Sequence, residues 1–302
     1  VRNNQEALRQ AGIPKNHKSN TVAPAAMPLP FVEKTEEVAL PSKGLLYPEG
    51  HPLHGKETIE IKHLTANEED ILTNHTYSKL GTTELEFLKA VIKDDVDPST
   101  LTLVDVSAIF LFARIFGYGN SYEPTVKCPN VDCGHKKKHE FDLYEYTHFG
   151  HIDTEEFPGV SIDEKTGVIS FTLSNTGWKI KVRPMTLRDK MELDAEKKAK
   201  KKRKTSKYKK ARRETPYINQ LVKIVESIAF PDPEGGDNFI VATDKIHLRE
   251  VIKVMPTKDT TELRKISNGL GGDIDLTFDF ECEECDYEGV MEVPLDSSFF
   301  RP

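Results

Sequence analysis

An α+β fold of two diverged lobes, each a strand followed by helices, is what this sequence predicts, and three observations predict it. The 302-residue chain has only four cysteines, arranged as Cys128 with Cys133 and Cys282 with Cys285. Each pair lies in a turn between stretches of period-two alternation, which is the pattern of a β-hairpin. The order strand, capped helix, further helices and cysteine pair also occurs twice, as in a diverged internal duplication. Four thiols in two pairs match the ligand count of a closed tetrahedral zinc site. Two cysteine-tipped hairpins facing each other then make a zinc ribbon that joins the lobes.

Residues 1–40 lack sustained periodicity. A short helical stretch over Asn4–Gln10 is followed by Pro14, Pro24, Pro28 and Pro30 among alanines, a composition that favours an extended N-terminal arm. The first lobe, residues 41–150, opens on the turn-rich run from Leu40 to Pro48. Ile59-Glu60-Ile61-Lys62 alternates as a strand, and Thr65-Ala66-Asn67-Glu68 is a capping-box pattern that starts a helix. Helical spacing follows in Leu85, Leu88 and Ile92, then in Val106, Ile109, Phe110 and Ala113, with Gly117-Tyr118-Gly119 as the stop. Thr125-Val126-Lys127 leads into the first cysteine pair and His139–Leu143 leaves it. The four-residue gap between Cys128 and Cys133 is wide for a zinc ribbon, and His135 and His139 are nearby substitute ligands.

The second lobe spans residues 151–302. Residues 151–178, with Gly159, Gly167, Gly177 and the single tryptophan Trp178, read as an extra β-rich connection. Ile180-Lys181-Val182-Arg183 is a strand, and Met185–Asp189 echoes Leu64–Glu68. A charged helix follows, then one with Ile218, Leu221, Val222, Val225, Ile228 and Ala229 on a single face. Two more helices cover Lys245–Val254 and Asp259–Asn268. Gly269, Gly271 and Gly272 break the pattern before Asp275–Phe280 and Val290–Val293, which flank the second cysteine pair.

Composition narrows the function classes. No apolar run approaches the length of a bilayer span. The net charge of −7 conceals a basic segment, residues 197–213, with twelve Lys or Arg and no acid. A thiol redox site needs a positive environment, and Glu281, Glu283, Glu284 and Asp286 supply the opposite. Four cysteines without a visible signal peptide do not make a disulfide framework.

Several stretches taken together carry a family resemblance. They are Leu40-Pro41-Ser42-Lys43-Gly44 with Tyr47, the run Ile59–Asp70, Ala113-Arg114-Ile115 with Gly117-Tyr118-Gly119, the Cys128-Pro129 start of the first pair, and Val293-Pro294-Leu295 with Phe299-Phe300-Arg301-Pro302. In this order they resemble the baseplate hub and hub-assembly proteins of contractile-tailed, T-even-like bacteriophages. The resemblance covers residues 40–145 and the last thirty residues. It implies a structural or assembly component of the virion tail baseplate, put together in the host cytoplasm. It further implies contacts with other tail proteins, a small ring of three copies, no catalysis and no small-molecule substrate.

The residues themselves make no case for an enzyme. There is no nucleophile elbow, phosphate loop or His-Glu-x-x-His motif. Gly269-Leu270-Gly271-Gly272 lacks the following Lys-Ser/Thr, and His51-Pro52-Leu53-His54 reads as a surface loop. The metal ligands expected are Cys128, Cys133, Cys282 and Cys285. Expected partner contacts are Phe299, Phe300 and Arg301, read as exposed, and Lys200, Lys201, Lys202, Arg203 and Lys204 in the basic segment. The alternative is a zinc-ribbon nucleic-acid binder that uses residues 197–213 on phosphates. Tyr208 is the only aromatic residue in that run, and a mostly acidic body is not the footprint of a dedicated nucleic-acid protein.

Overall fold

The computed structural model of the chain describes residues 33–148, 157–203, 216–232, 238–269, 274, 276–294 and 299–300. The expected helix over residues 4–10, most of the N-terminal arm, Lys204 and the rest of the basic run, Gly271, Gly272 and Arg301 lie outside the described residues.

The architecture is mixed helix and sheet. Strand β1 (Thr35–Ala39) pairs antiparallel with β2 (Thr58–Lys62). Alternation buries Val38, Ile59 and Ile61 on one face. The expected arm therefore gives way to folded chain by residue 35, because Val38 and Leu40 have a core to enter. Helices α1 (Ala66–Thr73), α2 (His75–Leu80), α3 (Thr83–Val91) and α4 (Leu103–Tyr118) follow. α1 starts at the predicted capping box: the Thr65 hydroxyl accepts from the Asn67 N–H, and Glu68 accepts from the Thr65 N–H at 2.8 Å. Short strands β3 (Ser121–Tyr122), β4 (Thr125–Lys127), β5 (Lys136–Lys138) and β6 (Phe141–Asp142) then form two antiparallel pairs, β3 with β6 and β4 with β5. The strand leaving the first cysteine pair is thus Lys136-Lys137-Lys138 and not His139–Leu143. All three lysines are exposed, so no apolar alternation marked it.

Strands β7 (Ser161–Ile162), β8 (Ile169–Thr172) and β9 (Lys179–Val182) precede α5 (Leu187–Arg203) and α6 (Pro216–Ile224). Strands β10 (Val225–Pro231) and β11 (Phe239–Ala242) lead to α7 (Lys245–Val254) and α8 (Thr257–Gly269). The last pair is β12 (Thr277–Glu281) with β13 (Glu288–Glu292). A five-stranded antiparallel sheet has the order β11-β10-β9-β8-β7. The helix expected through Val225, Ile228 and Ala229 therefore stops at Ile224. The register of β10 on β9 shifts between Val225 and Ser227, a bulge at Glu226 that turns Val225 and Ile228 to the same side. Their spacing of three imitates a helix.

Residues 34–302 make one compact unit with three apolar clusters. One lies under β1, β2, α3 and α4 and takes in Leu187 from α5. A second lies between the five-stranded sheet and α6, α7 and α8, and takes in Leu46 from the entry loop. The third joins α4 to both cysteine-bearing strand pairs. The starts of α4 and α5 also meet through backbone: the Leu103 N–H donates to the Met185 carbonyl and the Leu187 N–H to the Leu101 carbonyl, both at 2.9 Å. At Gly167, φ is +68° and an added Cβ would lie 2.5 Å from the Leu46 carbonyl oxygen, so only glycine lets these loops touch. No helix among the described residues is long and apolar enough to cross a membrane.

Candidate metal centre

The turns β4–β5 and β12–β13 place the four cysteines. In the first, the Cys128 N–H donates to the His135 carbonyl at 2.8 Å, and the Cys133 and Gly134 N–H groups donate to the Asn130 carbonyl at 3.1 and 3.0 Å. In the second, the Cys282 N–H donates to the Tyr287 carbonyl at 2.9 Å and the Asp286 N–H to the Cys282 carbonyl at 3.0 Å. Each turn closes through a residue of positive φ, Gly134 at 60° and Asp286 at 50°.

The four Sγ atoms lie within 4.8 Å of one another. Cys128 Sγ is 3.7 Å from Cys285 Sγ, and Cys133 Sγ is 3.8 Å from Cys282 Sγ. These separations are far beyond an S–S bond, and all four cysteines are free. Burial pushes the Cys128 thiol up to about 12. Cys282 is held below the ordinary thiol value, chiefly by the backbone N–H of Glu284 aimed at its sulfur. The Asn130 side-chain N–H donates to Cys285 Sγ at 3.5 Å. Four sulfurs on one point, with N–H groups turned toward them, can hold one metal ion; among the described residues no other group of three or more His, Cys, Asp or Glu does so.

The neighbours limit what else the centre does. His135 lines the opening beside Asn130, Asp132 and Glu284. His139 packs on Phe141 and Phe278, with ring centroids 4.6 and 5.1 Å away, so it is a packing residue and not a fifth candidate ligand. Lys137 on the first pair and Glu283 on the second form an ion pair across the two turns.

The expected exposure of Phe299 and Phe300 is overturned. Phe299 is buried in the third cluster, edge-on to Tyr122 at 5.1 Å. Phe300 packs on Phe87 and Phe110 at 5.3 and 5.9 Å. Phe299 is buried and Phe300 half-buried against α3 and α4, and packing of the aromatic rings outweighs leaving them in water. Lys200, Lys201, Lys202 and Arg203 continue α5.

Sequence reasoning missed Arg114. It is fully buried in α4, where Nη1 donates to the Gly119 carbonyl at 2.6 Å and Nη2 to the Ser121 carbonyl at 2.9 Å. Its guanidinium also lies 5.3 to 5.9 Å from the Tyr118, Tyr122 and Phe299 ring centroids. A lone arginine within an apolar helix, just before a Gly-Tyr-Gly stop, was the available signal. Also missed was a matched pair of ion-paired caps. Lys62 pairs with Glu68 at 2.9 Å around the Thr65 cap. Arg183 pairs with Asp189 at 2.6 Å, and the Thr186 N–H and hydroxyl donate to that carboxylate at 3.0 and 2.8 Å. The spacing from cation to threonine to acid is identical in the two. A cavity of about 650 Å³ adjoins the second cap. Its Arg188 is engaged by Asp97 and Ser99, and His51 by Thr100, so these groups are occupied in holding loops together.

The family described as T4 bacteriophage base plate protein matches the chain over residues 47–301. No curated protein and no solved structure matches it.

Proposed function

The chain belongs to the T4 bacteriophage base plate protein family, and from that premise we propose that it is a non-enzymatic joint at the hub of a contractile tail baseplate, working through contacts with other tail proteins. The phage tail baseplate is its place. The observation that carries the reading is the extent of the family match, which takes in both cysteine pairs and every described element after β1. The contacts are assigned to the basic segment, from Lys200, Lys201, Lys202, Arg203 and Lys204 onward, and to Arg301. Replacing those five basic residues with glutamine in the phage should leave soluble, folded protein and yield lysates poor in complete baseplates by electron microscopy. Normal numbers of contractile, infectious tails would overturn the contact role of the run. Salt-titrated DNA binding tests the alternative, a nucleic-acid binder. Homo-oligomerisation belongs to the reading, the ring of three being the form that hub symmetry suggests.

The two lobes, residues 41–150 and 151–302, are read as a diverged duplication, supported by the equal spacing of the Lys62-Thr65-Glu68 and Arg183-Thr186-Asp189 caps. The four cysteines are read as a zinc ribbon with one structural zinc per chain. In support, Zn–S bonds of about 2.3 Å put tetrahedral sulfurs about 3.8 Å apart; the Cys128–Cys285 and Cys133–Cys282 sulfur separations are 3.7 and 3.8 Å, and all four sulfurs lie within 4.8 Å of one another. Bound zinc would hold Cys128, Cys133, Cys282 and Cys285 as thiolates and supply fold stability. Elemental analysis of protein purified without added metal should give close to one zinc per chain. A tenth of that or less, with four intact thiols, would remove the zinc.

A further inference from the structure

The five-stranded sheet has two unlike edges. One ends on β7, only two residues long, which is a common way of blunting an edge. The other ends on β11, Phe239-Ile240-Val241-Ala242, which carries no charge and no proline. Among the described residues β11 pairs with β10 alone. Phe239 and Ile240 are each 43% exposed and Val241 58%. An apolar edge of this kind, with Lys179 Nζ 4.8 Å from the Phe239 ring centroid as a nearby cation, is a template for pairing with another chain.

The register says which backbone groups are free. The Asp232 N–H donates to the Asn238 carbonyl at 3.0 Å, which makes that opposed pair a hydrogen-bonded one. Next along the ladder come Pro231 opposite Phe239, Phe230 opposite Ile240, and Ala229 opposite Val241. Hydrogen-bonded and non-bonded pairs alternate in an antiparallel ladder. Ile240 therefore turns its N–H and C=O toward β10, and Phe239 and Val241 turn theirs outward. Pro231, which has no N–H, falls at a non-bonded pair, as this alternation requires.

We propose that β11 pairs antiparallel with β11 of a second copy of this chain, about a two-fold axis at Ile240. That axis sets Phe239 opposite Val241 of the copy and Val241 opposite Phe239. These are the residues whose backbone groups point outward, so four N–H···O=C bonds form. The same pairing places an aromatic ring against a β-branched side chain twice, a favourable cross-strand pair, and opposes no like charges within the strand. It joins two five-stranded sheets into one of ten. The pairing is two-fold, so combined with the ring of three it would give six copies, and it depends neither on the metal nor on the baseplate reading.

Sedimentation equilibrium of the full chain should show a concentration-dependent dimer. Val241→Lys puts a charge on the edge at a half-exposed site. It should weaken the dimer by about tenfold or more, with the far-UV circular dichroism unchanged. The axis predicts a crosslink as well. Non-bonded opposed residues lie about 4.5 Å apart at Cα, within disulfide range. Ile240→Cys should therefore give a 240–240 disulfide on mild oxidation, identified by peptide mass spectrometry so that the four native thiols do not interfere. Val241→Cys should not, since those positions would be more than about 7 Å apart. A monomer at every concentration, a trimer insensitive to Val241→Lys, or crosslinking at 241 without crosslinking at 240 would each overturn the proposal. If Val241→Lys fails to fold, the paired cysteine variants decide the question alone.

Discussion

Glu68 shows how a single carboxylate couples this fold to pH. Burial pushes its pKa up, but hydrogen bonds from Asn67, Thr65 and Lys62 outweigh burial and hold it at about 2, against an ordinary 4.5. Asp189 is shifted the same way: burial opposes ionisation, and Arg183 and the Thr186 N–H overcome it. A carboxylate depressed in the folded state stabilises fully above its unfolded pKa and ceases to do so as pH falls through its folded one. The melting temperature should thus be level above about pH 5 and fall as acid is added from pH 4.5 toward 2. Glu68→Gln should flatten part of that fall, measured by thermal denaturation across the range; an unchanged profile would remove Glu68 from this account. The capping threonine and glutamate were legible in the sequence because their spacing is local. Lys62 and Arg183 were not singled out, because a cation six positions before an acid means nothing until a strand turns into a helix between them. Arg114 was hidden for the same reason: its partners are carbonyls, which have no sequence signature.

At the scale of elements, what was legible followed the physics of each signal. Helix α4 was visible through Val106, Ile109, Phe110 and Ala113 because a buried stripe repeats with the helical period. Helix α7 matched its expected bounds, Lys245–Val254. Strand β10 was misread because the Glu226 bulge gives two buried residues a helical spacing, and β5 was unreadable because three exposed lysines carry no alternation. The bulge is therefore the element to test. Deleting Glu226 removes the extra residue and leaves Val225 and Ile228 two positions apart, still on one face of a regular ladder, so the urea midpoint should move little. Deleting Ser227 together with Glu226 makes the two adjacent and sends one of them to the wrong face. Loss of one such buried side chain costs about 2–4 kcal/mol, so the double deletion should unfold at clearly lower urea concentration. Equal midpoints for the two variants would mean that β10 tolerates either register.

The whole molecule is assembled by exchange between its clusters. Leu187 of α5 enters the first cluster and Leu46 of the entry loop enters the second. Phe299 returns from the far end of the chain to pack with Tyr122. Sequence alone suggested the cysteine meeting point, since four matching ligands have few other uses. It could not show Phe299 and Phe300 turned inward, because a terminal aromatic pair looks the same whether it seeks a partner or its own core.

The cysteine turns have a mechanical consequence. Cys133 and Cys282 are 149 positions apart, yet their sulfurs are neighbours. With a metal on the four sulfurs, tension applied between residues just before Cys128 and just after Cys285 runs through the ion, and the whole segment between the pairs goes slack. Extended chain spans about 3.5 Å per residue, so that segment is about 500 Å of contour withheld from the load. Such a shunt takes the five-stranded sheet and helices α5 to α8, which lie between the pairs, out of the loaded path. Optical-tweezer pulling from those two points should give a short, stiff tether with metal bound and release about 500 Å more on chelation. Equal contour lengths in the two conditions would mean that the sulfurs carry no load.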